Sequence, residues 1–177
     1  VSTSVSTSED VYIGLTDPQT PFNVGAVLRA TGCYNGKKVL YSGERYNNAM
    51  KYSGNTQKEG KEIELKHTND FYKEIDQDMK VICVELIEGA TSLPNFIHPL
   101  KALYIFGSES GTVLQNVIDK SDECVYIPTN GCMNLAASVN VLLYDRLAKN
   151  TARIEGDALI KSSRMKNNHR KRKVSEI

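Results

Sequence analysis

Short apolar runs typical of β-strands alternate along this chain with runs whose apolar residues recur at helical spacing. The predicted strands are residues 11–16, 37–43, 62–68, 81–87, 100–107 and 123–128, and the predicted helices are residues 21–34, 112–120 and 134–149. A weak helix opens the polar stretch 45–60, and residues 70–75 are predicted to form a helical turn or two. Because strands such as 81–87 are apolar on both faces, the pattern predicts an α/β fold with a parallel sheet covered by helices on both faces.

Charge is distributed unevenly between the body of the chain and its C-terminus. The net charge is +1 over 177 residues, but residues 161–177 carry seven Lys or Arg and one Glu. The rest of the chain is therefore mildly acidic, with a net charge of −5. We predict a disordered N-terminal segment over residues 1–10, one folded domain over residues 11–150, and a basic tail over residues 151–177, in which the run 161–173 is disordered when free.

Composition argues against a membrane span and against a metal site. No run of about 18 apolar residues is present, so no membrane span is expected. The four cysteines contain no C-x-x-C pair, and the three histidines share no ligand spacing with them, so no protein-bound metal is expected. Free thiols inside apolar strands suit a reducing compartment, which predicts a cytoplasmic protein.

The first of three segments that could carry chemistry is NVGAVLRA at residues 23–30. Asn23 is a good candidate for a helix N-cap, because its side-chain oxygen can accept a free backbone N–H. Arg29 lies beside the apolar stripe of this helix, and its neighbours one turn away are all small, which leaves space for a ligand to reach the guanidinium. The alternative is an arginine that extends to solvent.

The other two segments follow predicted strands, at the edge of a parallel sheet where ligands bind. FGSESG at residues 106–111 combines glycines that allow close backbone approach with Glu109, whose carboxylate favours a cationic or hydroxyl-rich ligand over a phosphate. In IPTNGCMN at residues 127–134, Asn134 can cap the last helix. Each segment alone is also compatible with an ordinary turn, with Glu109 placed favourably near a helix dipole.

In combination and in this order, the three segments resemble the motifs of the SPOUT superfamily of RNA methyltransferases, in its SpoU (TrmH-type) branch. The first family motif is similar to Asn23-x-Gly25-Ala26-x-x-Arg29, and another is similar to Phe106-Gly107-x-Glu109-x-x-Gly, with Gly111 one position early. The third is similar to Ile127-Pro128 followed by a Ser-Leu-Asn-Val-Ser pattern, which reads Cys132-Met133-Asn134-Leu135-Ala136 here. The resemblance covers roughly residues 10–150, which include the predicted domain.

The resemblance implies a parallel sheet of five or six strands with a C-terminal deep trefoil knot, and an S-adenosylmethionine site built by the knot loops. It also implies ribose 2′-O-methylation of tRNA or rRNA by a homodimer, with Arg29 of one subunit facing the cofactor of the other. The implied catalytic residues are Arg29, Asn23, Glu109 and Asn134. The implied cofactor-binding residues are Val84, Gly107, Ile127, Cys132 and Met133. The basic tail is predicted to bind RNA through Arg164, Lys166, Arg170, Lys171, Arg172 and Lys173.

Two positions depart from the family pattern, because Cys132 and Ala136 stand where the family has Ser. A thiol is a weak hydrogen-bond donor and Ala has no hydroxyl, so hydrogen bonds made by those hydroxyls are expected to be weaker or missing. The alternative function is therefore an RNA-binding protein that keeps the fold and has little or no activity. A class I methyltransferase is disfavoured, because residues 17–23 lack its Gly-rich loop, and a purely structural α/β module leaves the three motifs unexplained.

Overall fold

The computed structural model describes residues 9–51, 63–150 and 155–172. The strands are Asp10–Leu15 (β1), Lys38–Tyr41 (β2), Glu64–His67 (β3), Lys80–Val84 (β4), Thr91–Ser92 (β5), Lys101–Phe106 (β6) and Glu123–Tyr126 (β7). The helices are Pro21–Cys33 (α1), Arg45–Met50 (α2), Gln115–Lys120 (α3), Leu135–Lys149 (α4) and Asp157–Ser163 (α5), with short 3-10 helices at Phe71–Lys73 and Leu93–Asn95. Each predicted strand and helix has a counterpart whose ends differ from the prediction by no more than three residues.

The strands form one parallel sheet in the spatial order β3-β2-β1-β6-β4-β7-β5. The predicted parallel α/β fold is confirmed, but the described residues give seven strands rather than five or six. The added strand, β5, is only two residues long and pairs Thr91 with Val125 at the sheet edge. A strand this short has no hydrophobic period to detect in the sequence. Because all strands run in one direction, the loops that follow them meet at a single carboxyl edge.

Two hydrophobic cores cover the two faces of the sheet. On one face, α1 and α4 pack against buried strand residues that include Ile13 and Tyr104. On the other face, Phe71 of the first 3-10 helix and the partly buried residues of α3 cover Leu103 and Ile105. Successive residues of β6 therefore enter opposite cores, as the alternation of side chains along a strand requires. The predicted burial of the sheet on both faces is confirmed.

The N-cap of α1 is Thr20, so the prediction that Asn23 caps this helix is wrong. Thr20 Oγ1 accepts a hydrogen bond from the backbone N–H of Asn23 (3.3 Å), and Pro21 occupies the first helical turn, where its missing N–H costs little. Asn23 then lies inside the first turn, and its side chain is available for a tertiary contact. The predicted cap of the last helix is confirmed, because Asn134 Oδ1 accepts from the N–H groups of Ala136 (2.9 Å) and Ala137 (3.2 Å).

Two segments at the ends of the chain differ from the predicted disorder. Asp10, the last residue of the predicted disordered segment, begins β1, and its N–H donates to the carbonyl of Leu100 (3.2 Å). The predicted tail contains α5, where Asp157 in the first turn and Lys161 in the last complement the helix dipole. Residues 1–8, 151–154 and 173–177 lie outside the described residues. No helix within the described part of the chain combines the length and apolar character needed to cross a bilayer.

Candidate functional site at the carboxyl edge of the sheet

A cavity of about 370 Å³ lies at the carboxyl edge, bordered by the loops after β4, β6 and β7 and by the first turns of α4. This volume is within the range of about 300–1,000 Å³ that is usual for small-molecule sites. The residues that line it are Val84, Glu85, Leu86, Phe106, Gly107, Ser108, Glu109, Ser110, Gly111, Thr112, Ile127, Thr129, Cys132, Met133, Leu135 and Ser138. Two carboxylates and no Lys, Arg or His side chain are among these lining residues.

The structure brings all five predicted cofactor-binding residues to this one cavity. They are Val84, Gly107, Ile127, Cys132 and Met133. Sequence reasoning missed Glu85, because the predicted strand 81–87 placed it inside a strand, whereas β4 ends at Val84 and Glu85 directly follows it. It also missed Ser138, one turn into α4, for which the sequence offered no signal because a helical serine is usually exposed.

Glu109 ties the loop after β6 to the loop that enters α1. Its Oε2 accepts from the backbone N–H of Gln19 (2.9 Å). Its Oε1 accepts from the backbone N–H (3.2 Å) and the hydroxyl (3.3 Å) of Thr20, and from Nδ2 of Asn23 (2.9 Å). Both carboxylate oxygens are thus occupied by the protein, which fixes the shape of the 107–111 loop beside the cavity.

The pKa of Glu109 is lower than that of an ordinary glutamate. Burial is the largest single effect and acts to raise this pKa, because it disfavours the charged form. The hydrogen bonds from Asn23, Gln19 and Thr20 act in the opposite direction and together outweigh burial. Glu109 is therefore ionised at neutral pH and serves as a hydrogen-bond acceptor, not as an acid.

Asn23 and Asn134 extend this network from α1 to α4. Asn134 Nδ2 donates to Oδ1 of Asn23 (3.1 Å), whose own Nδ2 is bonded to Glu109. Asn23 is buried, and the amide supplies one acceptor and one donor to partners from two different loops, as a buried polar group requires. The chain Glu109–Asn23–Asn134 therefore joins all three motif segments through side-chain hydrogen bonds.

Arg29 lies away from this network, on the exposed side of α1. It is six residues beyond Asn23, which is roughly 9 Å along a helix axis, and it is not among the residues that line the cavity. The space predicted around it is present on one side, since a Cβ placed on Gly25 would meet no atom within 4 Å. Phe22 on the same helix is 84% exposed.

The two positions that depart from the family pattern have different surroundings. Cys132 is exposed and lines the cavity, whereas Ala136 is buried in the core and does not line it. A hydroxyl still reaches the cavity wall from the same helix, because Ser138 is a lining residue and donates to the carbonyl of Asn134 (3.2 Å). The absence of a hydroxyl at Ala136 therefore removes no polar group from the cavity wall.

Arg45 supplies a cation beside the cavity that the sequence did not suggest. Its Nε donates to Oδ2 of Asp17 (2.6 Å), and its NH1 donates to Oγ of Ser110 (3.2 Å), a lining residue. Gln19 Nε2 also donates to Oγ of Ser110. Arg45 is exposed and paired with Asp17, so this junction of the loops after β1, β2 and β6 places an ion pair at the rim, with the guanidinium next to Ser110.

The predicted RNA-binding residues of the tail that fall within residues 155–172 do not line the cavity. Arg164 is half-buried, with NH1 at 3.5 Å from the carbonyl of Arg170, and Lys166, Arg170, Lys171 and Arg172 are exposed. Lys173 lies outside the described residues. Within residues 9–51, 63–150 and 155–172, no group of three His, Cys, Asp or Glu side chains is arranged to hold a metal ion.

Comparison with known proteins gives one family match and many structural neighbours. The profile of the SpoU rRNA methylase family matches residues 10–144. No curated protein matches the chain. The SpoU methyltransferase AviRb from Streptomyces viridochromogenes, in complex with AdoMet, superposes with a TM-score of 0.62 at 14% identity, over 78% of this chain and 57% of that chain.

Two further solved structures have the same fold. The AdoMet-bound rRNA methyltransferase from Sinorhizobium meliloti has a TM-score of 0.63 at 17% identity, over 81% of this chain and 58% of that chain. A protein whose structure concerns the 2-OH methylation of C/U34 on tRNA has a TM-score of 0.63 at 19% identity, over 82% of this chain and 99% of that chain. The chain therefore spans slightly more than half the length of the first two proteins and nearly all of the third.

Proposed function

Because the chain belongs to the SpoU rRNA methylase family, we propose that it is an S-adenosylmethionine-dependent methyltransferase acting on a ribose 2′-hydroxyl of tRNA or rRNA. The observation that carries the proposal is that two motif segments, 106–111 and 127–134, line one cavity and that the first segment, 23–30, is hydrogen-bonded to both of them. Glu109, Asn23 and Asn134 join those segments by hydrogen bonds of 2.9 and 3.1 Å. A surface turn would need no such network between loops that are about 90 and 110 residues apart in sequence.

The residues around the cavity fit the proposed cofactor. Apolar side chains such as Val84, Ile127 and Met133 suit an adenine ring, and the backbone of the 107–111 loop offers polar groups to a nucleoside. The carboxylates and the absence of a lining cation suit a ligand with hydroxyl groups and net positive charge. Bound here, S-adenosylmethionine would supply a methyl group already activated on a sulfonium, so the protein's task is alignment.

Arg29 is assigned the central catalytic role. A guanidinium stays protonated in proteins, so it does not act as a base. It holds a phosphate of the RNA or stabilises the negative charge that develops on the 2′-oxygen. That oxygen forms its bond to the methyl carbon as the carbon–sulfur bond breaks, and the hydroxyl proton passes to a phosphate or to water. Asn23, Glu109 and Asn134 keep the surrounding loops in the geometry this alignment requires.

A homodimer would bring Arg29 to a cofactor site. Arg29 is not a lining residue of its own subunit's cavity, so a second subunit facing that cavity is the simplest source of the guanidinium. An apolar stripe supports this assembly. It consists of Ala137, Val141 and Tyr144 on α4, at the spacing of one helix face, with Val141 40% and Tyr144 62% exposed.

We also propose that the C-terminal part of the domain is knotted, as in the SPOUT superfamily. The strand order supports this topology, because β6 lies between β1 and β4, and β7 then returns to the far side of β4. Glu109 further binds the loop after β6 to residues 19–23, at the start of α1.

RNA would reach this edge of the sheet with help from Arg45 and from the cations of the basic tail. Arg45 lies at the rim of the cavity, within hydrogen-bond distance of the lining residue Ser110 (3.2 Å). The basic tail offsets the net negative charge of the remaining chain and provides contacts that do not depend on sequence.

The test is methylation of total tRNA and rRNA by the purified protein, with 2′-O-methylated nucleosides detected by mass spectrometry. We expect the wild type to be active and Arg29→Ala to lose at least about a hundredfold in rate, while keeping its affinity for S-adenosylmethionine. Because Arg29 is exposed, the free energy of unfolding of the Arg29→Ala protein should differ from that of the wild type by no more than about 0.5 kcal/mol. Methylation by Arg29→Ala at the wild-type rate would refute the mechanism.

The alternative function is RNA binding by a catalytically weak member of the family, and the departure at Cys132 favours it. Calorimetry with S-adenosylmethionine separates the two, because a protein that only binds RNA does not require the cofactor. The variant Cys132→Ser restores the family residue, and its rate of methylation provides an independent measurement. A large gain in rate would show that the natural chain is impaired at this position.

A further inference from the structure

We propose that Glu85 recognises the ribose of the nucleoside cofactor by accepting hydrogen bonds from its 2′- and 3′-hydroxyl groups. This inference rests on the proposed function, because it assigns a residue to the ligand of the same cavity. Glu85 lies directly after β4 and is a lining residue outside the three motif segments. Glu85 is not part of any of the three family motifs described above.

The carboxylate of Glu85 is held in place by two backbone groups. Oε1 accepts from the N–H of Leu86 (2.9 Å), and Oε2 accepts from the N–H of Val113 (3.2 Å). An ionised carboxylate offers about four acceptor positions, so each oxygen can accept one more donor. The side chain is half-buried, which leaves part of the carboxylate accessible from the cavity.

This carboxylate lies in the cavity wall beside residues that are predicted to contact the nucleoside. A Cβ placed on Gly107 would lie 3.1 Å from Oε2 of Glu85, so the carboxylate lies directly against the glycine of the loop after β6. Val84 and Gly107, which flank it, are both predicted to contact the adenosine. Two adjacent hydroxyls are a matched pair of donors for a fixed carboxylate, and dinucleotide-binding folds use an acidic residue for the same purpose.

Glu109, the other carboxylate in the cavity wall, is not equivalent. Its two oxygens already accept four hydrogen bonds, from Gln19, from the backbone and hydroxyl of Thr20, and from Asn23. Oε1 accepts three of these bonds and Oε2 accepts one, so only Oε2 of Glu109 has an acceptor position left. Among the described lining residues, Glu85 is the carboxylate with an open acceptor position on both oxygens, as two adjacent ribose hydroxyls require.

The test compares two ligands by calorimetry: S-adenosylhomocysteine and its 2′-deoxyribose analogue. We expect the wild-type protein to bind the deoxy compound at least about tenfold more weakly, since a charge-assisted hydrogen bond is removed. The ratio of the two dissociation constants, that of the deoxy analogue over that of S-adenosylhomocysteine, should fall below about threefold in Glu85→Gln. In Glu85→Ala the same ratio should approach one. Glu88→Gln removes a charge from an exposed residue that does not line the cavity, and it should keep the wild-type ratio.

The ratio of the two affinities separates recognition from a structural role. If Glu85 only braced the N–H of Val113, Glu85→Gln would weaken both ligands equally and leave the ratio unchanged, which would overturn the inference. Equal binding of both ligands by the wild type would also overturn it and leave the proposed function intact. Failure of the wild type to bind S-adenosylhomocysteine or S-adenosylmethionine at all would overturn both.

Discussion

At the scale of single residues, Gly107 has no space for a side chain. A Cβ placed there would lie 2.9 Å from the carbonyl oxygen of Gly111 and 3.1 Å from Oε2 of Glu85. The first of these atoms belongs to the backbone of the same loop, so a rotamer change cannot relieve the clash. The glycine is needed because the 107–111 loop folds back tightly on itself, and not only because a ligand approaches it.

Gly107→Ala should therefore displace the loop and lower affinity for S-adenosylmethionine by at least about tenfold. The cost in stability should be about 1–3 kcal/mol, as for other overpacked sites, so the protein should remain folded in a denaturant titration. Gly131→Ala is the matched control, because a Cβ placed at Gly131 meets no atom within 4 Å. Wild-type affinity in Gly107→Ala, measured by calorimetry, would contradict the assignment of this loop to the cofactor.

At the scale of elements, α4 is attached to β6 through a buried histidine that precedes the strand. His98 Nδ1 lies 2.7 Å from the hydroxyl of Tyr104, and Nε2 lies 2.9 Å from Oδ2 of Asp145. Burial raises the pKa of Tyr104 to about 12, so this tyrosine remains a donor to Nδ1, and the neutral His98 then donates from Nε2 to Asp145. The guanidinium of Arg146 also donates to the Tyr104 hydroxyl (3.0 Å).

The pKa of His98 is lowered from its usual value of 6.5, chiefly by burial and further by the charge of Arg146, although the hydrogen bond to Asp145 acts to raise it. A histidine whose pKa is lower in the folded state contributes stability above the unfolded pKa, and this contribution disappears as pH falls. We expect the free energy of unfolding to decrease between pH 7.5 and about 5.5, which is above the range of most carboxyl groups.

His98→Gln should be less stable than the wild type at pH 7.5 and should lose less stability between pH 7.5 and 5.5. Urea titrations at several pH values measure both quantities. His169→Gln is the control, because His169 is an exposed residue of the tail. If His98→Gln showed the same pH dependence as the wild type, protonation of His98 would not limit the attachment of α4.

At the scale of the whole molecule, the exposed apolar stripe on α4 is the surface that we propose as the subunit interface. Val141→Glu places a charge in the middle of this stripe, and we expect it to convert a dimer to a monomer in sedimentation experiments. Affinity for S-adenosylmethionine should change little, whereas methylation should be abolished, because in the proposed dimer Arg29 of one subunit serves the cofactor site of the other. Asn116→Glu adds the same charge to exposed α3, on the other face of the sheet, and should leave the dimer intact. A monomeric wild type would exclude this arrangement.

The basic tail should act on RNA without reading its sequence. Deleting residues 161–177 removes seven Lys or Arg, so binding to all RNAs should weaken. The slope of log affinity against log salt should flatten by roughly 0.7–0.9 for each phosphate that the tail neutralises. Affinity for S-adenosylmethionine should not change. Filter-binding measurements over a range of salt concentrations check both points, and an unchanged slope would show that the tail does not bind RNA.

The sequence by itself determined the elements and the location of the candidate site. The spacing of apolar residues predicted the strands and helices, because each element must bury one or both of its faces. Which residues lie on a buried face depends only on the period of that element. The motif residues Gly107, Ile127 and Met133 follow strands, and parallel strands bring the loops after them to one edge. Asn134 was predicted as a cap because capping involves only the next few residues of the helix.

The tertiary structure decided whatever depends on a partner distant in sequence. Asn23 has the chemistry of a cap, but Thr20 caps α1, and the amide of Asn23 instead joins Glu109 and Asn134. The pairing of β5, the four donors around Glu109 and the remaining acceptors of Glu85 likewise follow from contacts between separate loops. A residue's type fixes which hydrogen bonds it can make, and only the packing of distant segments decides which of them it makes.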